Sequence, residues 1–324
     1  MVVPGGGRST GPSPVHRRRP EAFVRLGRPH RRRVDDVELP LTYTWAEARA
    51  AGARRRQVAA DGRRLSRGLY LSAASDDGLA ARCRAWTRLL PPDAAFGLGT
   101  AATLLGVRSD PLPEVEVVLR PRPVLPQRRG LAVHVRDLRG EDVVEVAGLR
   151  LSSGAQTYLD LAARLTPAEL VATGDALLRS GHLDAAGLQR RLARAGRTRG
   201  VVRARECAPL LSAASMSRPE SLLRYWLTTS DLPAPQVQVP VRDRYGRVVA
   251  HADLGYAEYR VAVEYEGRQH ADREQFGRDV DRYSLMAADD WLVLRFAARH
   301  LSGPAVVVER TRRALGGRGW RPGC

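Results

Sequence analysis

The sequence predicts an α/β (α+β) protein of several parts, and three observations carry that prediction. Its 324 residues are 44% hydrophobic, enough to bury a core and more than one domain. Helical stretches opened by capping boxes alternate with short extended runs along the chain. Shifts in composition then divide it into a basic tail (1–38), a winged helix-turn-helix (39–72), a mixed α+β middle domain (73–200), a linker (201–216) and a C-terminal domain (217–324) ordered α-β-β-β-α-β-α.

The tail, Met1–Arg33, is rich in Gly, Pro and Arg and reads as disordered. It lacks the apolar stretch of a secretory signal and reads as a loose DNA-binding arm or an upstream extension. Thr44 with Glu47 forms a capping box that opens a helix to about Ala51. Gly52 breaks it, a basic helix follows over Ala53–Ala60, and Arg63–Leu71 reads as a short ribbon. In a winged helix-turn-helix the second helix enters the major groove. Arg54, Arg55 and Arg56 would then face DNA from that helix, and Arg64 and Arg67 from the wing; the alternative is a solvated basic face.

In the middle segment, Ala80–Leu90 reads as a helix stopped by Pro91-Pro92. Val115–Leu119 and Leu131–Val135 read as strands, and Ala155–Leu165 and Pro167–Leu178 as helices. Thr166 and Glu169 cap the last of these and Gly181 closes it. Asp160 and Asp175 read as capping or surface acids. No phosphate-cradling glycine loop and no Ser/His/Asp constellation occurs here.

Ser217 with Glu220 caps the next helix, whose apolar face includes Leu223, Trp226 and Leu227. Val237–Val241 and Val248–Tyr256 read as a hairpin. The run His251–Tyr256, the turn Ala257–Arg260 and the return Val261–Gly267 make a second, acidic one. Pairing Tyr256 with Val261 sets Asp253 directly opposite Glu264. Strand alternation then turns Glu264 and Glu266 to the same face. Opposed carboxylates repel at the roughly 5 Å between facing Cβ atoms, and a hard cation resolves the conflict. The expected cofactor is therefore Mg²⁺ (or Mn²⁺), with Asp253 and Glu264 as metal ligands. Arg273–Ala288 reads as a helix with Phe276, Val280, Tyr283 and Ala287 at core spacing. Trp291–Phe296 reads as a strand buried on both faces, and Gly303–Ala314 as a closing helix.

The charge balance narrows the partners. All 53 basic residues are arginine and the net charge is +18. Nine arginines against one glutamate in residues 1–33 account for +8 of it, and +10 remains elsewhere. Such an excess favours DNA over neutral partners. Cys83, Cys207 and Cys324 are odd in number and lack metal-ligand spacing, so a reducing cytoplasm is expected. No apolar run reaches the ~18 residues of a membrane span.

The run Asp253-x10-Glu264-Tyr265-Glu266-Gly267-x2-His270, with Arg278-Asp279, Arg282 and DDWLVLRF (289–296), resembles the signature of the family related to very-short-patch repair endonucleases, within the PD-(D/E)XK nuclease superfamily. The likeness spans Ser217–Leu315. It implies a restriction-endonuclease-like domain in which Asp253 and Glu264 hold Mg²⁺ for phosphodiester hydrolysis. Glu266 stands at the third position, usually lysine. His270 would act as general base or assist the metal, and Glu220 matches an acid sometimes supplied by the preceding helix. The bland alternatives are that Glu220 only caps its helix, His270 is a surface side chain, and Asp279 with Arg282 forms a structural ion pair. Arg295 could hold a carboxylate or a phosphate. Residues 40–200 are more loosely similar to the AbiEi-type abortive-infection (type IV toxin–antitoxin) antitoxin family, through RLSRGLYL (64–71), TAATLLGV (100–107) and LDLAARL (159–165). The two implied functions are a Mg²⁺-dependent DNA endonuclease and a non-cutting DNA-binding regulator, either with a possible toxin or defence-system partner.

Overall fold

A computed structural model describes residues 37–108, 112–267 and 273–322, apart from the side chains of 273–279 and 281. The described residues from Glu38 onward form one compact unit. It is a mixed α+β protein with three sheets and, among the described residues, eleven α-helices. None of these helices is long and apolar enough to cross a membrane.

At the front, β1 (Thr42–Thr44) runs directly into α1 (Trp45–Ala50). The turn is fixed by the reciprocal cap expected from sequence: Glu47 N–H donates to Thr44 Oγ1 at 3.2 Å, and Thr44 N–H donates to Glu47 Oε2 at 2.7 Å. Next come α2 (Arg55–Asp61), β2 (Gly62–Ser66) and β3 (Leu69–Ser72), with sheet order β1-β3-β2. Tyr43, Ala48, Ala53 and Val58 fill the small core between them.

The middle part contains α3 (Leu79–Thr87), β4 (Ala95–Phe96), α4 (Leu98–Leu104), β5 (Val115–Leu119), β6 (Leu131–Val135), β7 (Val143–Val146), β8 (Leu149–Ser152), α5 (Gly154–Leu161), α6 (Pro167–Arg179), α7 (Ala185–Ala193) and α8 (Val201–Cys207). Its sheet runs β6-β5-β4-β8-β7, with parallel and antiparallel neighbours. The two acids expected at caps or on the surface are instead buried and paired. Asp160 accepts from Arg136 Nε at 2.7 Å and Asp175 from Arg224 Nη2 at 2.7 Å. Burying a carboxylate without such a partner would be prohibitive. The segment 201–216, expected as a linker, begins with α8, whose Val201, Ala204 and Cys207 are buried in the same core as Trp86 and Tyr158.

The last part contains α9 (Arg218–Thr228), β9 (Gln236–Arg242), β10 (Val248–Tyr256), β11 (Val261–Glu266), α10 (Arg273–Ala288), β12 (Leu292–Ala297) and α11 (Ala305–Gly317). The sheet order is β12-β11-β10-β9, with β11 and β12 parallel and the other pairs antiparallel. Leu223 and Leu227 of α9 and Leu315 of α11 pack with Leu254 and Phe296 in one cluster. Met286 of α10 packs with Val239, Val241 and Ala262 in another. The sheet thus has helices on both faces. β12 corrects the expectation of a doubly buried strand: it is an edge strand, with Leu292 38% exposed and Arg295 exposed. Its apolar run cannot reveal that it stands at the edge of the sheet among the described residues.

α9 also packs on α6. Leu222 meets Ala168 and Ala172, and the Asp175–Arg224 pair lies in the same interface with both side chains buried. Ser212 N–H donates to the other oxygen of Asp175 at 2.7 Å.

Candidate functional site

The acidic hairpin is built as the period-two reading requires. Tyr256 pairs with Val261, Gly255 with Ala262 and Leu254 with Val263, and the paired register ends one step short of Asp253 and Glu264. A 3-10 turn over Ala257–Tyr259, closed by Arg260 at φ 51°, joins the strands. Gly255 keeps them close: a Cβ there would lie 2.8 Å from the Val261 carbonyl oxygen. Asp253 Oδ2 accepts the Tyr265 N–H at 3.1 Å, which fixes its carboxylate across the pair.

Glu264 is only 2% exposed. Its Oε2 accepts from Tyr283 Oη at 2.8 Å and from Arg282 Nη2 at 2.5 Å, both on α10. Its Oε1 is buried with no hydrogen-bond partner among the described residues. Burial pushes the Glu264 carboxyl above the usual range, the Tyr283 bond and Arg282 charge oppose it, and the Asp253 charge adds to it. Asp253 is likewise raised, chiefly by burial, against the Tyr265 N–H bond and Arg282. Glu220 is raised by burial and also feels Asp253, but its oxygens already serve the helix cap. Oε2 accepts Met216 N–H at 2.8 Å and Oε1 accepts Ser217 Oγ at 2.8 Å.

Outside this pair, Glu266 is exposed and bonded to Arg295, whose guanidinium lies 4.3 Å from the centre of the Tyr283 ring. Arg295 stands in register beside Glu264 on the parallel neighbour. Asp253, Glu264, Glu266, Arg282, Tyr283 and Arg295 are therefore one connected group. His270 and the side chain of Asp279 lie outside the described residues. Arg282, read with Asp279 from the i, i+3 spacing, forms an ion pair with Glu264. Tyr283, read only as a core residue, donates its hydroxyl to the same acid. A tyrosine at a helix core position needs a partner for its O–H, and that was the available signal.

No group of three or more His, Cys, Asp or Glu side chains among the described residues is arranged to hold a metal. The carboxylates available to a cation on the hairpin are those expected as its ligands, Asp253 and Glu264. That donor set still suits Mg²⁺, which takes one or two carboxylates and leaves its other positions to water and phosphate oxygens. The unpartnered Oε1 of Glu264 supplies an acceptor suited to it.

The basic candidates lie on other elements. Arg54, Arg55 and Arg56 are exposed at the start of α2, and the Arg55 guanidinium lies 5.9 Å from the Trp45 ring centre. Arg64 and Arg67 are exposed on β2 and its turn, and Arg64 Nε donates to the Ser66 carbonyl at 3.2 Å.

No family model matches the sequence. Over 231 residues, 70% of this chain and 82% of theirs, it is 29% identical to the uncharacterized protein MT2308 of Mycobacterium tuberculosis strain CDC 1551 / Oshkosh and to the uncharacterized protein Rv2248 of strain ATCC 25618 / H37Rv.

Proposed function

We propose that the protein binds DNA through a winged helix-turn-helix at β1–β3 and hydrolyses phosphodiester bonds with a Mg²⁺-dependent, PD-(D/E)XK-like site on the β10–β11 hairpin. The observation that carries the reading is the placement of the Asp253 carboxylate on the Tyr265 N–H, next to Glu264, whose Oε1 is buried without a partner among the described residues. Such an arrangement is unfavourable on its own and useful only with a cation.

Asp253 and Glu264 would hold the ion, oriented by the Tyr265 N–H and by Tyr283 and Arg282. A bound Mg²⁺ supplies charge neutralisation at the phosphate and lowers the pKa of water. Arg295, exposed beside Glu264, is suited to receive a phosphate oxygen on leaving Glu266. Glu266, then released at the exposed end of β11, would accept a proton from the attacking water.

A second reading is favoured by a specific observation: Arg282 and Arg295 pair with Glu264 and Glu266 from within the chain. On that reading the hairpin is a degenerate site in a DNA-binding regulator. Nicking of supercoiled plasmid by the purified full chain separates the two. The nuclease reading expects cutting in Mg²⁺, none in EDTA, and loss of cutting with binding retained in D253A and E264A. Salt-sensitive DNA binding without cutting in any divalent metal would establish the regulator instead.

A further inference from the structure

We propose that the groove between the β2–β3 ribbon and the loop 120–130 seats the phosphate backbone of duplex DNA, with Arg128 and Arg129 completing a contact that the ribbon begins. The proposal rests on the DNA-binding reading and adds a surface from the middle part of the chain to it. The groove encloses about 1060 Å³ and is lined by Arg64, Arg67, Arg128 and Arg129 together with Ser66 and Gln127; no acid lines it. Neighbouring arginines are neutralised from within the chain: Arg63 pairs with Asp77 and Arg122 with Asp93. Among the described residues, none of the four groove arginines is paired with a carboxylate. Four like charges gathered at one surface repel unless an external anion joins them.

The loop is organised before any ligand arrives. Pro121, Pro123 and Pro126 fix their own φ angles. Arg128 Nη1 donates to the Arg67 carbonyl at 2.9 Å, and Val115 N–H donates to the Gly130 carbonyl at 3.0 Å. Gly130 holds φ +84°, a backbone conformation that L side chains rarely adopt. A rigid fork of guanidinium groups matches phosphate oxygens without an ordering cost. No aromatic side chain lines the groove, so unstacked bases find no platform. Those features select the backbone of a duplex over a single strand.

The test is fluorescence anisotropy of labelled 20-base-pair duplexes (about two helical turns) with the full chain in EDTA over a salt series. R128A/R129A is expected to weaken binding about tenfold or more at low salt. The loss should be equal for two unrelated sequences, with the log–log salt slope smaller by about two. R129E, which leaves the Arg128–Arg67 tie intact, is expected to weaken binding at least as much as loss of one contact while melting like the parent. Parental affinity and slope in both variants, with the parent binding duplex, overturn this groove alone. A parent that binds no duplex overturns the DNA-binding reading with it.

Discussion

Glu264 shows how one side chain can be both poorly satisfied and well held. Its Oε2 has two donors, its Oε1 has none among the described residues, and Asp253 accepts the N–H of the next residue, Tyr265. Because burial raises both pKa values, the folded chain keeps these protons more tightly than the unfolded one. Stability contributed by this pair is therefore expected to fall as pH rises from the ordinary carboxylate range through the raised values. D253N should flatten that decline and raise the metal-free melting midpoint on its alkaline side. On the proposed metal-binding reading Mg²⁺ needs the ionised pair, so its stabilising effect should grow over the same rise in pH in the parent and vanish in D253N. Thermal melts with and without Mg²⁺ across that range check both signs. Y283F, which removes one donor to Glu264, should weaken the Mg²⁺ response about ten- to a hundredfold while leaving duplex binding in EDTA unchanged. The hairpin register from Tyr256–Val261 to Leu254–Val263 was legible because a strand pair has a period of two and the turn fixes its register. The arrival of Arg282 was not, because it depends on where α10 crosses the sheet.

Elements whose ends carry their own chemistry were the readable ones. Thr44 with Glu47, Thr166 with Glu169 and Ser217 with Glu220 each place a helix start at the capping residue. T44A should cost about 1 kcal/mol in urea unfolding. G255A should do more than lose a fraction of strand propensity, because its methyl meets the Val261 carbonyl and must part β10 from β11. It is expected to lower the melting midpoint and to reduce Mg²⁺ stabilisation together. β12 and α8 were misread for opposite reasons. The apolar run of β12 resembles an interior strand, whereas α8 shows buried Val201, Ala204 and Cys207 at helical spacing but hides them among arginines. Edge position and partner helix are properties of the assembled sheet and core, and neither is written in a local pattern.

Across the molecule, many of the 53 arginines act as internal struts, which is why net charge alone overstates the unpaired basic surface. Arg194 and Arg191 hold Asp142, Arg136 holds Asp160, and Arg164 with His134 and the Gly99 N–H outweighs burial to keep Glu116 at about 2. The Asp175–Arg224 pair is the strut between α6 and α9. R224A or D175A should each destabilise the chain by about 3–5 kcal/mol, whereas D175L/R224M should recover most of that loss. Chemical denaturation of the three variants checks the pattern.

That strut also bears on how the protein can be dissected in the laboratory. A truncation starting at Ser217 retains the whole acidic hairpin, yet it strands the Arg224 guanidinium and uncovers Leu222, which α6 otherwise shields. Such a fragment is expected to clump or misfold, so its silence in a cleavage assay would say nothing about the chemistry of Asp253 and Glu264.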